Sequence, residues 1–379
     1  IKVENLLTMT SGLKTSLFFA DNSERYTVKD WIAYFFNAEF DAKAGEKFLY
    51  SNFNTYILSC MIERRAGVNL LNYMRDRFFE PLGVGNPDWT LCPKGHVHAA
   101  NGLYFNIDEL GNFGQMLLDN GKFNGRQLVP EEYLKEAVKK QVESVPILGL
   151  DNPEEKNGYG YQFWMTDHNG FALFGMGGQL AICLPEKNLM LVTTADVLEN
   201  PCGVDQIFQA FWDTIYADLT DESLPEDPEA SDALYERLSS LKVPHVQGDS
   251  DSPIALSVGG KRFQLDDNPS VYRAVAVGFG PDYGTFEYTT ESGTHEIRFG
   301  FGHNVRQFFP EAGYECLASG AWVDAETLFI RVYITDENLG SVQLVLHFAP
   351  DGSVTLSSRT FGDTMLTGLD ACVTGYIYE

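Results

Sequence analysis

An acidic stretch divides the sequence into two parts whose hydrophobic patterns differ. Residues 218–232 hold seven acidic side chains and two prolines, and they contain neither lysine nor arginine. Like charges at this density favour a solvated segment over a packed core. The stretch therefore predicts a domain boundary, with a first domain at residues 1–218, an acidic linker at 219–232 and a second domain at 233–379.

The first part begins with helical patterns. Gly67 interrupts the first of them, and Pro130 stands where a helix can begin without losing a hydrogen bond. The apolar spacing predicts helices at residues 54–65, 69–79, 107–117 and 130–134.

Further along, the pattern changes to short apolar or aromatic runs separated by turn residues. These runs predict antiparallel strands at residues 158–166, 171–175, 179–184 and 189–195. The apolar face of residues 204–219 predicts a helix that covers their sheet. The first domain is therefore expected to be α+β.

The second part is almost entirely strand. Apolar and polar residues alternate at 294–301, 328–334 and 342–348, and similar runs bring the total to roughly eight strands. A barrel removes the exposed edges of such a sheet, so an all-β barrel is expected, preceded by a short helix at 231–241.

Charge and composition exclude several classes of partner. The formal net charge is −26 and the pI is near 4.5, so phosphate backbones and anionic membrane surfaces are repelled. We expect neither nucleic-acid binding nor a membrane span, because no run of eighteen apolar residues occurs. The six cysteines stand singly, which argues against a zinc site and favours buried core thiols.

Short motifs follow one another along the first part. They are Leu6-Leu7-Thr8-Met9-Thr10-Ser11-Gly12-Leu13, Tyr50-Ser51-Asn52, Asn101-Gly102-Leu103-Tyr104 with Asp108-Glu109-Leu110, Gly158-Tyr159-Gly160-Tyr161, and Gly175-Met176-Gly177-Gly178-Gln179. In this order and spacing they resemble the class C β-lactamase and D-alanyl-D-alanine carboxypeptidase family of penicillin-binding-protein type, with its esterase and amidase-like relatives. The resemblance covers about residues 1–218.

The resemblance implies a fold and a chemistry. The fold is a β-lactamase-like antiparallel sheet with flanking helices, and the second domain is similar to lipocalin-like β-barrel domains that some members append. The chemistry is acyl transfer to a serine in a Ser-x-x-Lys helix, followed by hydrolysis. It needs no metal and no organic cofactor. The partner it implies is a small-molecule or short-peptide substrate.

The resemblance carries the family's roles over to six residues of this sequence, namely Tyr50, Asn52, Met176, Gly177, Gly178 and Gln179. Tyr50 becomes the candidate general base, and a nearby cation has to favour its phenolate, because free tyrosine titrates near 10. Asn52 becomes the candidate ligand of the substrate amide. Met176-Gly177-Gly178 takes the place of the third motif on an edge strand, with the oxyanion N–H at Gln179.

Each assignment has a structural alternative. Tyr50 could be a core aromatic residue next to a helix, and Asn52 could be only the N-cap of that helix. Gly177 and Gly178 could be a β-bulge or a hairpin device. His96 and His98 look like a metal pair, but no third ligand is near in sequence, so a polar loop is favoured.

Met176 and Gly177 depart from the family pattern. They replace the Lys or His and the Thr that bind the carboxylate of β-lactams and D-Ala-D-Ala peptides in the family. A thioether and a hydrogen atom cannot bind a carboxylate. We therefore expect poor β-lactamase and carboxypeptidase activity, and a neutral ester, amide or small peptide as the substrate.

The sequence also lacks a convincing nucleophile. Two literal Ser-x-x-Lys matches occur, at 11–14 and 239–242, but the first lies within another motif and the second lies in the linker region. We expect the nucleophile upstream of Ile1 and this chain alone to be inactive. The absent helix should leave apolar surface that an upstream fragment, a neighbouring chain or local collapse covers.

Two other functions stay open at this stage. The first is a non-catalytic binding protein that keeps the cleft for ligand recognition, which the substitution at Met176 favours. The second is a barrel that binds a small apolar ligand, and a large open cavity inside the barrel would support it.

Overall fold

The chain forms two compact units, Ile1–Asp218 and Leu219–Glu379. The computed structural model describes residues 1–14, 27–146, 154–220, 222–336, 338–362, 366 and 368–378. Of the predicted acidic linker, Asp221 lies outside the described residues.

The first unit has eight described α-helices. They are α1 (Val3–Leu7), α2 (Trp31–Asn37), α3 (Asn52–Ala66), α4 (Leu70–Met74), α5 (Glu80–Leu82), α6 (Ile107–Leu118), α7 (Glu131–Ala137) and α8 (Gly203–Ala210). Gly67 adopts a left-handed conformation and ends α3, which confirms the predicted break. Asn106 and Glu109 form a reciprocal capping box at the start of α6.

Shorter helical turns extend several of these elements. Residues Arg75–Phe79 and Phe211–Tyr216 are π-helical, while Glu154–Lys156 and Pro185–Lys187 are single 3₁₀ turns. Two small hairpins pair β1 (Asp88–Trp89) with β2 (Leu103–Tyr104) and β3 (Lys122–Phe123) with β4 (Arg126–Gln127).

The main sheet of the first unit has four antiparallel strands in chain order. They are β5 (Trp164–Thr166), β6 (Gly170–Gly175), β7 (Gln179–Leu184) and β8 (Leu189–Thr194). Because successive side chains point to opposite faces, Cys183 packs with Met116 of α6, whereas Ile182 packs with Phe208 of α8. Each face of the sheet is therefore covered by a helix, and the predicted antiparallel order is confirmed.

The second unit begins with a helix and continues as strands. Its elements are α9 (Pro228–Ser240), α10 (Ala255–Val258), β9 (Arg262–Leu265), β10 (Ala274–Phe279), β11 (Tyr283–Thr290), β12 (Gly293–Gly300), β13 (Val305–Phe308), β14 (Glu315–Trp322), β15 (Thr327–Ile334), β16 (Gly340–Phe348), β17 (Ser353–Gly362) and β18 (Ala371–Ile377). The helix begins three residues before the predicted Ser231, because the Asp227 side chain caps it and Pro228 is its first residue.

Nine of these strands close into a barrel. The antiparallel run β12-β11-β10-β9-β18-β17-β16-β15-β14 is joined at its ends by a parallel pairing of Gly300 in β12 with Ser319 in β14. Strand β13 pairs with β14 outside this ring. The predicted barrel is confirmed, with one strand more than the rough count from the sequence.

Large apolar side chains fill the barrel interior. Phe263, Phe286, Phe299, Trp322 and Leu344 are each no more than 2% exposed and belong to one continuous core. The filled core argues against the reading in which an open barrel holds a small apolar ligand. Among the described residues, no helix combines the length and apolar character that a membrane crossing requires.

Gly12 lies at the end of the first motif in a conformation that only glycine adopts without strain. Its φ is +81°, and a Cβ atom there would lie 2.1 Å from the Ala42 carbonyl oxygen. Gly67 is a matched control, since its φ is +74° and a Cβ atom added there would meet no atom within 4 Å.

We predict that Gly67→Ala lowers the free energy of unfolding by about 1–2 kcal/mol, the cost of left-handed backbone. Gly12→Ala should lower it by about a further 1–3 kcal/mol, because the backbone has to move away from the new methyl group. Urea unfolding of the two variants gives both values. Equal losses would contradict the packing described around Gly12.

Candidate active site

The first motif holds the segment that carries Tyr50. The amide N–H of Leu49 donates to the Met9 carbonyl at 2.8 Å, and Asn54 Nδ2 contacts the Met9 sulfur at 3.3 Å. Met9 is 1% exposed and packs with Phe48 and Trp164. Its backbone has φ +56°, which is unusual for a residue other than glycine. The motif is therefore buried, and its contacts hold the segment that leads into α3 in place.

The Tyr50 ring is fixed by aromatic contacts. It stacks on Trp164, with ring centroids 5.7 Å apart and planes at 23°, and it meets Tyr159 edge-on at 6.4 Å. The side chain is half-buried, and its hydroxyl makes no hydrogen bond to any residue in the described part of the chain. The ring is thus held in place, while its hydroxyl has no hydrogen-bond partner among the described residues.

The surroundings of Tyr50 keep it protonated. Burial, and next the negative charge of Glu155, raise the pKa of the Tyr50 phenol from 10.0 to about 12. A general base at Tyr50 requires a cation that lowers this pKa. The two influences identified on Tyr50 both act in the opposite direction, so Tyr50 in this chain is a neutral phenol near neutral pH.

The start of α3 shows which residue caps the helix. Ser51 has extended backbone and is the N-cap, while Asn52 is the first helical residue, so the alternative that Asn52 is the N-cap is wrong. The side chain of Asn52 is half-buried and has no hydrogen-bond partner among the described residues. Ser51 Oγ and Asn54 Oδ1 are buried, and they too lack a described partner.

The third motif lies in a hairpin turn. Gly175 at the end of β6 pairs with Gln179 at the start of β7, and Gly177 and Gly178 between them have φ of +78° and +90°. Gly177 and Gly178 therefore lie in a hairpin turn, which is one of the two structural alternatives given for them. Strand β5 pairs only with residues 170–172 of β6, so the last residues of β6, which lead into the turn, have a described strand partner on the β7 side alone. The expected motif therefore follows a stretch at the edge of the described sheet, although its glycines lie in the turn itself.

The side chains and backbone of this turn are also defined. Met176 is 62% exposed, and its carbonyl accepts a hydrogen bond from Gln179 Nε2 at 2.9 Å. Gln179 is paired with Gly175 on one side and with Thr194 on the other. The oxyanion role of its N–H, like the substrate-binding role of Met176, Gly177 and Gly178, stays a prediction.

An aromatic cluster links the motifs to one another. Trp164 contacts Tyr50 on one side and, at 6.1 Å, Phe174 of β6, two residues before Met176. It also meets Tyr159 of the fourth motif at 4.8 Å. The motifs at residues 6–13, 50–52 and 158–161 and the strand before the turn at 176–178 thus share one core around Trp164.

Gln162 has a structural role that the sequence did not reveal. It has φ +68°, and its side-chain amide donates to the carbonyls of Leu6 and Leu7 at 3.3 and 3.1 Å while accepting from Thr55 Oγ1 at 2.6 Å. A single polar residue within an aromatic run carries no pattern that predicts this. Gln162 joins the first motif to α3.

The serines of the two Ser-x-x-Lys matches have other surroundings. Ser11 is 1% exposed and lies in a loop, and the Lys14 ammonium is bonded to Glu39 at 2.9 Å. Ser239 lies on the exposed helix α9 and donates to the Glu236 carbonyl. Neither arrangement resembles a buried helix with serine and lysine on one face.

The histidine pair has a structural explanation. His96 Nδ1 lies 2.6 Å from Glu63 Oε2, and Glu63 Oε1 accepts the amide N–H groups of Leu70 and Val97. His98 meets the Trp31 ring edge-on. No group of three or more potential metal ligands occurs in the portion of the chain that the structure covers.

A family model described as "Beta-lactamase" matches residues 1–205. No curated protein matches the sequence. A penicillin-binding protein from Bacillus halodurans has a similar structure, with 17% identity over 56% of this chain and 72% of that chain and a TM-score of 0.44.

Two further solved structures are similar in the same sense. The octameric penicillin-binding protein homologue from Pyrococcus abyssi matches at 14% identity, over 99% of this chain and 78% of that one, with a TM-score of 0.37. A protein from Bacillus anthracis matches at 20% identity over 55% of this chain, with a TM-score of 0.43. The match spans 60% of that protein's length.

We predict that Glu155→Gln lowers the pKa of Tyr50, because the substitution removes the negative charge that disfavours the phenolate. Since burial is the larger cause, the pKa should stay above 10.0. Tyrosine labelled with ¹³C at Cζ allows the titration by NMR, and loss of a resonance in Tyr50→Phe identifies Tyr50. Glu132→Gln, at an exposed position, is the control. A Tyr50 pKa that is unchanged or raised by Glu155→Gln would contradict this electrostatic account.

Proposed function

The chain belongs to the β-lactamase family, and we propose that its first unit is the greater part of a serine hydrolase that works through an acyl-enzyme. The observation that carries the proposal is that aromatic contacts fix the Tyr50 ring while its hydroxyl has no hydrogen-bond partner among the described residues. Next to Tyr50, Asn52 offers a side-chain amide that no described residue binds. Groups held in place without a protein partner are available to a substrate.

The proposed nucleophile is a serine on a segment outside residues 1–379. Such a segment would bring a Ser-x-x-Lys pair, whose ammonium lowers the pKa of Tyr50. Tyr50 then accepts the proton of the serine hydroxyl as the serine oxygen attacks the substrate carbonyl. The bond to the leaving group breaks as that group takes up a proton, and water later attacks the ester to release the acid and regenerate the serine.

The other site residues have proposed roles that come from the resemblance of the motifs. The Asn52 amide binds the substrate's own amide or ester group, and the turn Met176-Gly177-Gly178-Gln179 contacts the acyl part. Met176 is largely exposed and carries no charge, so a substrate carboxylate finds no cation at this position. We propose a neutral ester, amide or small peptide as the substrate, with weak reactivity toward β-lactams.

A second candidate function is a non-catalytic binding protein that uses Tyr50 and Asn52 to bind a ligand. The raised pKa of Tyr50 favours it, because a neutral phenol donates a hydrogen bond well but is a poor base near neutral pH. A longer chain that brings a serine nucleophile to the site distinguishes the hydrolase from the binding protein.

The test is covalent labelling with a serine-reactive fluorophosphonate, read by intact mass. One sample is this chain, and the other is a longer chain that carries a Ser-x-x-Lys segment ahead of Ile1. We expect only the longer chain to gain one label. In that chain, Tyr50→Phe should slow labelling by about 10²-fold or more, since a general base contributes that much.

Two outcomes of the labelling would contradict the proposal. A label on Ser11 or Ser239 of the present chain would show that the nucleophile is placed wrongly. If neither chain reacts while both are folded, the non-catalytic binding function becomes the better account. Folding is checked by circular dichroism on the same samples.

A further inference from the structure

Gln162 bonds to two elements of the candidate site at once, and the first of them is α1. Its side-chain nitrogen donates to the Leu6 and Leu7 carbonyls at 3.3 and 3.1 Å, and its backbone N–H donates to the Leu7 carbonyl at 3.1 Å. Both carbonyls belong to the last turn of α1, where no N–H four residues ahead is part of the helix. Gln162 therefore supplies donors to the C-terminal end of α1.

The other end of the same amide reaches α3. Thr55 Oγ1 donates to Gln162 Oε1 at 2.6 Å. A threonine hydroxyl inside a helix can bond the carbonyl four residues earlier in its own helix, whereas this hydroxyl bonds a distant part of the chain. Because residues three apart share a helix face, Thr55 lies on the same face of α3 as Asn52. Gln162 thus holds α3 one turn away from Asn52.

Burial distinguishes this face of α3 from the opposite one. Asn52, Thr55 and Gln162 are half-buried, whereas Phe53 and Asn54 are fully buried. The Gln162 nitrogen donates to two carbonyls, which uses both N–H groups of its amide within the protein. The Asn52 amide has no partner among the described residues. Gln162 is therefore suited to hold the site together, while Asn52 is the group that can meet a substrate.

The backbone of Gln162 adopts an unfavourable conformation. Its φ is +68°, in the left-handed region that a residue with a side chain seldom occupies. Such a conformation persists only where its surroundings impose it, and it recurs at functional sites. Here three hydrogen bonds to α1 and one from Thr55 impose it. The strained residue is thus the link between α1 and α3.

We propose that Gln162 is a positioning residue for Asn52. By bonding Thr55, it fixes the rotation of the first turns of α3 relative to α1, and this rotation sets where the Asn52 amide meets the substrate. The inference rests on the proposed function, because it concerns the residue that is assigned there to the substrate's amide or ester group. It extends that function, since Gln162 acts only through α3.

The first test uses the present chain and needs no catalysis. Gln162→Met removes the amide, and Thr55→Val removes the hydroxyl. ¹⁵N-labelled asparagine gives side-chain NH₂ resonances by NMR, and Asn52→Asp identifies those of Asn52. We expect both variants to shift the Asn52 resonances. The double variant should shift them no further than Gln162→Met does, because the bond between Thr55 and Gln162 is already lost.

Gln127→Met is the matched control for the loss of a glutamine amide. The Gln127 side-chain nitrogen also donates to two carbonyls, those of Asn120 and Val129, at 2.8 and 2.6 Å, but Gln127 belongs to the β3–β4 hairpin. The control should leave the Asn52 resonances in place. Equal shifts in Gln127→Met and Gln162→Met, or no shift in Gln162→Met, would overturn the proposal.

The second test measures hydrolysis of p-nitrophenyl acetate, a neutral ester, by the longer chain that carries a Ser-x-x-Lys segment ahead of Ile1. Asn52 is proposed to hold the substrate both before and during the reaction. Its displacement in Gln162→Met should therefore raise KM about tenfold and change kcat much less. A mere loss of folded protein would lower the apparent kcat and leave KM unchanged. In an Asn52→Ala background, Gln162→Met should raise KM no further.

Failure of the inference and failure of the proposed function give different results. If the unaltered longer chain is folded and hydrolyses no ester, the proposed function is wrong and the role of Gln162 falls with it. If that chain is active and Gln162→Met leaves KM unchanged, the inference about Gln162 alone is wrong. An equal rise of KM with and without Asn52→Ala would also refute it, because Gln162 would then act on another group.

Discussion

The hydrogen bond from the Leu49 amide to the Met9 carbonyl determines where Tyr50 lies. Met9 occupies left-handed backbone, a conformation that costs a residue with a side chain about 1–2 kcal/mol. Such a conformation persists only where the surrounding packing imposes it. Here the Met9 side chain is buried against Trp164 and its sulfur contacts Asn54, so the acceptor side of the bond is held in place. The candidate site is therefore built on a braced loop instead of a flexible one.

Electrostatics and burial then set the state of the site. The same aromatic packing that orients Tyr50 removes water from its hydroxyl, and Glu155 adds a negative charge nearby. Both effects favour the phenol over the phenolate. The polar groups of Tyr50 and Asn52, which have no described partner, are those that we propose a substrate uses. To act as a base, Tyr50 needs a cation beside it, and this dependence connects the proposed chemistry to the Ser-x-x-Lys segment.

The elements that the sequence predicted well are those with strong local signals. Gly67 ends α3 by adopting left-handed backbone, and the regular alternation of β15 and β16 marks both strands. Strand β14 was not predicted, because its small residues Ala318, Ser319 and Gly320 are all buried and break the alternation of apolar and polar side chains. The sequence pattern thus predicts a strand well only where apolar and polar side chains alternate between its two faces.

The motif order proposed the members of the candidate site, whose roles stay predictions, and it did not give their geometry. The motif order identified Tyr50 and Asn52, and the structure brings both to the start of α3. Met176, Gly177 and Gly178 lie in the tight turn between β6 and β7, and the motif order alone does not reveal that turn. Gln162 connects the first motif to α3 through hydrogen bonds with Leu7 and Thr55. These residues are far apart in sequence, so no local pattern predicts the contacts.

The most direct test of this account is the pKa of Tyr50 in two chains, measured from its ¹³C-labelled Cζ resonance. In the present chain the value should be about 12. In a longer chain that carries a Ser-x-x-Lys segment ahead of Ile1, the account predicts a value below the 10 of free tyrosine, because the lysine ammonium favours the phenolate. A pKa that stays near 12 in the longer chain, with the segment folded, would contradict the claim that Tyr50 is a general base awaiting its cation.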